Sequence, residues 1–243
     1  MSYIKLIKKI EYIFEDEELV VVSKPSGLLS IADRNKLSPN LKDVLLKKYG
    51  EIYTVHRLDK ETSGIMIFAR NLNTHKFLNR QFSDRLVNKV YWAFVQNSPS
   101  YDSGEVDMPI HNDMRKSGRM LIHKEGKPAQ TKFKLLKNYG KVSLMAFSPI
   151  TGRTHQIRVH SKYLSCPLLV DEIYAKKNNF YLSEVKRVYK KSVDEEEKPF
   201  IKRLTLHAKT IEFTHPKGEK MFFECELPKE LKALQNQLEK LSK

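Results

Sequence analysis

Two polar segments of the sequence combine charged, hydroxyl and imidazole side chains, and each lies between apolar runs. Residues 56–64 read HRLDKETSG, and residues 151–160 read TGRTHQIRVH. A carboxylate such as Asp59, held beside arginines, stays ionised because nearby positive charge favours the charged form. An ionised aspartate in a partly desolvated site can act as a nucleophile, a base or a stabiliser of an oxocarbenium ion. Residue types alone leave open that each segment is a surface loop with local ion pairs.

Other chemistries fit the sequence less well. His155 and His160 are five residues apart, which matches the same-face spacing of neither a helix nor a strand. No HExxH pattern occurs, and no acidic pair accompanies these histidines, so we expect no metal site. Ser26, Ser63 and Cys166 lack the sequence context of a catalytic serine or thiol. Two cysteines do not make a disulfide framework, and we expect reduced thiols.

The charge balance favours a polyanionic partner. The 243 residues include 44 Lys and Arg against 29 Asp and Glu, a net charge of +15. Lysines and arginines that contact phosphates release counterions and add affinity without regard to sequence. A generally basic surface is the alternative. No apolar run approaches 18 residues and no leader pattern opens the chain, so we expect a soluble, cytoplasmic protein that does not bind membranes.

The elements that would position residues 56–64 are two strands, at Ile52–Val55 and Ile65–Ala69. They predict that the loop lies at the end of a sheet, where functional loops usually occur. We predict three helices: one from Pro39 to Tyr49 capped by Ser38, one capped by Asn73, and one opened by Pro228. Further strands are predicted at 11–14, 19–22, 89–96, 131–136, 141–149, 204–213 and 221–226.

Two stretches lack clear periodicity. Residues 97–130 read as a long excursion with short strands that could contact a large ligand. Residues 176–203 are highly charged and read as an exposed insertion, and residues 228–243 carry a leucine stripe on the final helix. We read that stripe as packing on its own core, with a dimer seam as the alternative. One α+β domain over residues 1–243 is the simplest organisation.

The segment HRLDKETSG resembles the HRLDxxTSG signature of the RluA-like pseudouridine synthases. The resemblance extends from about Ile10 to Leu227. Other family motifs occur in the expected order along the chain, one before the signature and four after it: V-x-K-P-x-G at 22–27, K-x-Y-x-A at 89–93, K-x-A-x-T at 127–131, GRTHQIRVH at 152–160 and LHA…HP at 206–216. Six ordered motifs are far more specific than HRLD alone.

This resemblance implies a role for each matching residue. Asp59 corresponds to the catalytic aspartate, Tyr91 to the tyrosine that packs on the target base and takes part in proton removal from C5, and Arg158 to the arginine paired with the aspartate. The reaction isomerises uridine in structured RNA and requires no cofactor or metal. RNA or substrate contacts, or shaping of the site, fall to the remaining motif residues: His56, Arg57, Thr62, Arg153, His155 and Ile157.

The implied fold is a mixed, mostly antiparallel sheet with flanking helices and a central RNA-binding cleft. We expect no S4-type domain ahead of Ile10, a compact rRNA or tRNA stem-loop as substrate, and a monomer. The usual G-D-x-x-Y-G is here Val170-Asp171-Glu172-Ile173-Tyr174-Ala175, which puts the geometry of that turn in question. Two alternatives are a non-catalytic RNA-binding or RNA-chaperone protein that keeps the fold, and a hydrolase that releases uracil.

Overall fold

The computed structural model of the chain describes residues 5, 7–33, 39–186 and 196–242. They form two compact units, each built from discontinuous segments. The first comprises the described residues of Met1–Tyr91 with His207–Glu226, and the second those of Trp92–Leu206 with Leu227–Lys243. The prediction of a single domain over residues 1–243 stays a prediction.

The described residues contain twelve strands and four α-helices. The strands are β1 (Glu11–Glu15), β2 (Leu19–Lys24), β3 (Tyr53–Thr54), β4 (Ser63–Ala69), β5 (Asn88–Gln96), β6 (Ser103–Asp107), β7 (Ile110–Asn112), β8 (Met120–Ile122), β9 (Gln130–Asn138), β10 (Val142–Pro149), β11 (Leu206–Thr214) and β12 (Lys220–Glu224). The helices are α1 (Leu41–Tyr49), α2 (Leu72–Ser83), α3 (Gln156–Tyr163) and α4 (Lys229–Leu241).

In the first unit the strands run in the order β1-β2-β4-β11, with β12 paired to β11 and the short β3 paired to β4. The pair β4–β11 is parallel, whereas β1–β2, β2–β4, β3–β4 and β11–β12 are antiparallel. Residues 19–22 of β2 and 65–69 of β4 are continuously apolar, as expected for strands buried on both faces. Val22 and Phe68 pack with Leu45 of α1 on one face, while Val21 and Ile67 lie on the face that carries Leu78 of α2.

In the second unit, to which β5 belongs from Trp92 onward, the order is β5-β10-β9-β6, and β7 and β8 form a separate hairpin. Helix α4 lays its leucine stripe on the core of this unit, where Leu231, Leu234 and Leu238 are at most 1% exposed. Packing of the terminal helix on its own core is therefore confirmed, and the monomeric state stays a prediction. The mixed α+β class with a mostly antiparallel sheet is confirmed as well.

Helix starts differ from those predicted. Helix α1 begins at Leu41, not at Pro39, and its cap is Asn40, whose side-chain oxygen accepts a hydrogen bond from the Asp43 backbone N–H at 3.0 Å. The predicted cap Ser38 lies outside the described residues. Helix α2 is capped by Asn71 instead of Asn73. Asn71 also donates to Glu18 at 2.9 Å, so a tertiary contact decides which asparagine caps the helix.

The charged segment 176–203 is not uniformly exposed. Phe180 and Ile201 are each 1% exposed and belong to the core of the second unit. The Phe180 N–H donates to the Ile201 carbonyl at 2.9 Å, which joins the two ends of the segment. The sequence did not predict the burial of these two residues because the stretch as a whole is highly charged. Residues 187–195 lie outside the described residues.

Candidate active site

Asp59 lies in the loop between β3 and β4, as predicted. Ser30, 3% exposed, fixes the loop: its hydroxyl donates to the Leu58 carbonyl at 2.7 Å and accepts from the Leu58 N–H at 3.1 Å. The Thr62 N–H donates to the Asp59 carbonyl at 3.1 Å. The Asp59 backbone is thus held on both sides, while its side chain remains partly exposed.

A buried lysine anchors the same loop from the end of β2. Lys24 is fully buried, and its ammonium donates to the carbonyls of Pro25 (3.1 Å), Leu28 (2.7 Å) and Lys60 (3.0 Å). The Gly27 N–H also donates to the Lys60 carbonyl, at 2.9 Å. Sequence reasoning quoted this turn as a motif without giving Lys24 a role, because the distance of 36 residues between the partners leaves no local signal.

Tyr91, on β5, lies close enough to Asp59 for the charge of the carboxylate to affect the pKa of the Tyr91 hydroxyl. It packs against the core cluster that contains Leu58 and Met66. Burial raises the pKa of the Tyr91 hydroxyl well above its ordinary value, and the negative charge of Asp59 raises it further. Within the first unit the fold therefore brings the carboxylate and a neutral phenol together, two of the three predicted catalytic groups.

His56 supports the loop from behind. Its Nε2 accepts a hydrogen bond from the Ile67 N–H of β4 at 3.0 Å, and its ring stacks on Phe82 at 4.9 Å between centroids. Burial, and to a smaller extent the positive charge of Lys89, lowers the pKa of His56 to about 3. A neutral imidazole that accepts a backbone N–H favours a shaping role over an RNA contact. Arg57, next to it, is exposed.

We expect His56 to make the protein sensitive to acid. The folded protein keeps His56 neutral down to about pH 3, whereas the unfolded chain takes up a proton below about pH 6.5, so the unfolded state binds more protons between these values. Its contribution to stability is thus complete above about pH 6.5 and decreases as pH falls. Urea unfolding at about pH 7 and about pH 4.5 should show a larger loss for the wild type than for His56→Gln, which keeps an acceptor for the Ile67 N–H. Equal losses would contradict this reading.

The end of the signature joins the LHA motif across the parallel pair β4–β11. Gly64 has φ +116°, and a Cβ placed there would lie 2.2 Å from the Ala208 carbonyl oxygen. Only glycine allows this close approach of the two backbones. Beside it, the Ser63 hydroxyl and His207 Nδ1 are 2.9 Å apart, both buried. Thr62, predicted as a contact or shaping residue, is 2% exposed at the start of this pairing.

Arg158 lies in the second unit, on α3, a helix that sequence reasoning did not predict. Its Nε and Nη2 donate to the two carboxylate oxygens of Asp171 at 2.8 and 2.9 Å. Asp171 also accepts the backbone N–H groups of Ile173 and Tyr174, and the guanidinium lies 5.0 Å from the centre of the Tyr174 ring. The arginine is therefore held in one orientation. Its predicted pairing with Asp59 joins residues of different units and stays a prediction.

The turn that lacks its usual glycines forms nonetheless. Among the described non-glycine residues with positive φ, neither Val170 nor Ala175 occurs. A side chain at either position is therefore compatible with the backbone, and the Ala175 N–H donates to the Asp171 carbonyl at 3.0 Å. The question that these two replacements raised about the turn is answered by this geometry.

The other predicted residues of the second motif are buried or contact neighbouring residues of the second unit. Arg153 donates through Nε to the Pro128 carbonyl at 2.9 Å, and Ile157 is 6% exposed. His155 caps α3 with φ +55°, and its Nδ1 lies 2.9 Å from the Tyr174 hydroxyl. These contacts favour structural roles, and RNA binding by the three residues stays a prediction.

The motif's buried glutamine received no role from sequence reasoning. The Gln156 carbonyl oxygen accepts from the Arg153 N–H and the Thr151 hydroxyl, at 2.9 and 2.7 Å. Its amide nitrogen donates to the Gln130 carbonyl and the Thr131 hydroxyl, at 2.9 and 2.8 Å. One side chain thus ties the loop before α3 to strand β9.

The family profile described as RNA pseudouridylate synthase matches residues 18–163. The chain belongs to this family. It is 38% identical over 226 residues, 89% of this chain and 83% of its relative, to the dual-specificity RNA pseudouridine synthase RluA of Vibrio vulnificus. It is 36% identical to an uncharacterized RNA pseudouridine synthase of Aquifex aeolicus, with coverage of 96% and 74%. The resemblance to RluA-like pseudouridine synthases is therefore confirmed.

A solved structure confirms the pseudouridine synthase fold. Human RNA Pseudouridylate Synthase Domain Containing 4 has a TM-score of 0.70 and 26% identity, and the match covers 97% of this chain and 94% of the human one. Among the described residues of this pseudouridine synthase, no group of three or more His, Cys, Asp or Glu is arranged to hold a metal ion. The part of the chain that the structure describes also contains no helix long and apolar enough to cross a membrane.

Proposed function

We propose that Asp59 is the nucleophile with which this pseudouridine synthase isomerises uridines in structured RNA, with Tyr91 and Arg158 as its catalytic partners. The observation that carries the proposal is the backbone-anchored Asp59 beside a neutral Tyr91, inside a loop that matches the family signature. An aspartate needs no redox step to act on the ribose C1′. The presence of Tyr91 and Arg158 together with Asp59 supports an enzyme rather than a relative that has lost catalysis and only binds RNA.

The reaction exchanges one bond to the ribose for another. Asp59 acts at C1′ as the C1′–N1 bond breaks, the freed uracil rotates, and C5 joins C1′. The proton lost from C5 is balanced by the proton gained at N1. The target base must leave its stack to be reached, and an aromatic face stabilises it by roughly 1–3 kcal/mol. The raised pKa of Tyr91 supports this stacking role at neutral pH over the role of a base.

RNA contact outside the site is proposed for the β7–β8 hairpin, in the stretch where a large-ligand contact is predicted. Its tip exposes Met114, at 83%, together with Arg115 and Lys116. Asp113 orders the tip by accepting the Arg115 N–H at 3.0 Å. A preformed tip with two exposed cations suits a folded RNA, and we propose a stem-loop of rRNA or tRNA as the substrate. Cytoplasmic location stays a prediction.

Alanine replacement of both Arg115 and Lys116 should weaken RNA binding and leave kcat unchanged, because the two side chains are proposed to contact phosphates alone. The slope of log affinity against log salt should fall by about 0.7–0.9 for each lost contact. The control is Lys47→Ala on α1, which also removes an exposed cation. An unchanged slope in the double variant would remove the hairpin from the proposed interface.

The test of the reaction is tritium release from transcripts labelled at uracil C5. Release to water with the base still attached to RNA supports isomerisation. Free uracil would instead identify a hydrolase. Intact RNA binding without release from bulk tRNA or rRNA of the source organism would favour the non-catalytic RNA-binding alternative.

A further inference from the structure

Lys89 lies two residues before Tyr91 on β5, so the two side chains project from the same face of the strand. The residue is partly buried, and its ammonium lies 5.4 Å from the centre of the Phe82 ring. Phe82 stacks in turn on His56 of the signature loop. The lysine is thus part of the wall behind the candidate site, all of it within the first unit.

Apart from the Phe82 ring, nothing in the described part of the chain compensates the charge of Lys89. In the ranges that the structure describes, Lys89 forms no salt bridge, and burial alone lowers its pKa. The contact with the Phe82 ring is a cation–π attraction and supplies no anion to pair with the ammonium. The imidazole nearby is neutral and offers no counter-charge. A partly desolvated ammonium without an anion is costly, and such groups concentrate at functional sites.

Two other buried lysines of this unit show what compensation looks like. Lys24 donates to three carbonyls. Lys209, 4% exposed, lies 2.7 Å from a Glu224 carboxylate oxygen and donates to the Cys225 carbonyl at 2.8 Å. Both serve the fold through these bonds. Lys89 makes no such bond to any residue that the structure describes, so a purely structural role accounts for it poorly.

We propose that Lys89 binds a backbone phosphate adjacent to the target uridine and so sets the register of the extruded nucleotide. The inference rests on the proposed function, in which Tyr91 receives the base. Residues two apart on a strand are about 6.6 Å apart, so a nucleotide stacked on Tyr91 brings a flanking phosphate within reach of the lysine side chain. A phosphate supplies the missing negative charge, and phosphate contacts position an RNA without reading its bases.

The first experiment compares Lys89→Met with the wild type on a transcript from which the wild type releases tritium. Methionine keeps a flexible stem against Phe82 and removes the charge. We expect KM to rise about tenfold with kcat within twofold, and the salt slope of binding to fall by about 0.7–0.9. Lys89→Arg should retain the slope. The control Lys76→Met removes an exposed lysine of α2 and should change neither quantity.

Thermal unfolding separates this role from a structural one. Removal of an uncompensated charge should leave the melting temperature of Lys89→Met unchanged or higher, while affinity for RNA falls. If Lys89 had a structural role, its replacement would lower the melting temperature and the affinity for RNA together. A lower melting temperature with an unchanged salt slope would overturn the proposal.

An uncharged methylphosphonate in place of one phosphate can show which phosphate Lys89 contacts. RNA carrying one methylphosphonate on either side of the target uridine should bind the wild type less tightly at one of the two positions. At that position Lys89→Met should lose nothing further, because the contact is already absent. Additive losses at both positions would overturn the Lys89 proposal while tritium release still supports the function. No release by the wild type from any transcript would instead overturn the proposed function.

Discussion

Replacement of Asp59 by asparagine is expected to abolish tritium release from uracil-labelled RNA while RNA binding persists. The amide has nearly the shape of the carboxylate but neither its charge nor its nucleophilicity. The loop around it is held by Ser30 and Lys24, so the backbone should remain in place. Loss of an enzyme nucleophile commonly lowers the rate by several orders of magnitude, and we expect a fall of about 10⁴-fold or more.

The matched control is Glu61→Gln, which neutralises an exposed carboxylate two residues further along the same loop. It should retain release within a few-fold of the wild type, since its side chain has no proposed part in the reaction. Asp59→Asn should bind RNA at least as tightly as the wild type because it removes a negative charge from the site. Release by Asp59→Asn at more than a tenth of the wild-type rate would exclude Asp59 as the nucleophile.

Replacement of Asp171 by alanine should cost about 3–5 kcal/mol of unfolding free energy, as expected when one partner of a buried ion pair is removed. Asp171 and Arg158 are 1% and 7% exposed. The variant removes the carboxylate that accepts two hydrogen bonds from the Arg158 guanidinium. It also leaves the Ile173 and Tyr174 N–H groups without this acceptor. Urea unfolding measures the loss. Tritium release at a temperature where the variant is folded should also fall, because Arg158 is no longer oriented.

Two variants make this result specific. Glu172→Ala removes the adjacent, exposed carboxylate and should change stability by less than about 0.5 kcal/mol. Asp171→Asn keeps an acceptor oxygen without the charge and should fall between alanine and the wild type. If Asp171→Ala unfolded at the wild-type urea concentration, the ion pair would not be important for the second unit.

Local patterns in the sequence were sufficient for most of the scaffold. The β-branched run in β2 and the apolar run in β4 identified two strands of the first unit, of which β4 directly follows the Asp59 loop, because burial on both faces leaves a continuous apolar signature. The leucine stripe of α4 likewise indicated the face that packs on the core. Helix α3 escaped prediction because its residues are mostly polar, although six of its eight are buried in contact with the second unit.

The sequence by itself determined the chemistry. The order of its motifs identified the family, and with it Asp59, Tyr91 and Arg158 as the predicted catalytic groups. The tertiary structure alone decided which partners the buried charges have. Lys24 donates to a carbonyl 36 residues away, and Arg158 pairs with Asp171. Lys89 forms no salt bridge with any described residue. The physical reason is that a motif records residue type, whereas the free energy of a buried charge depends on partners that only folding brings together.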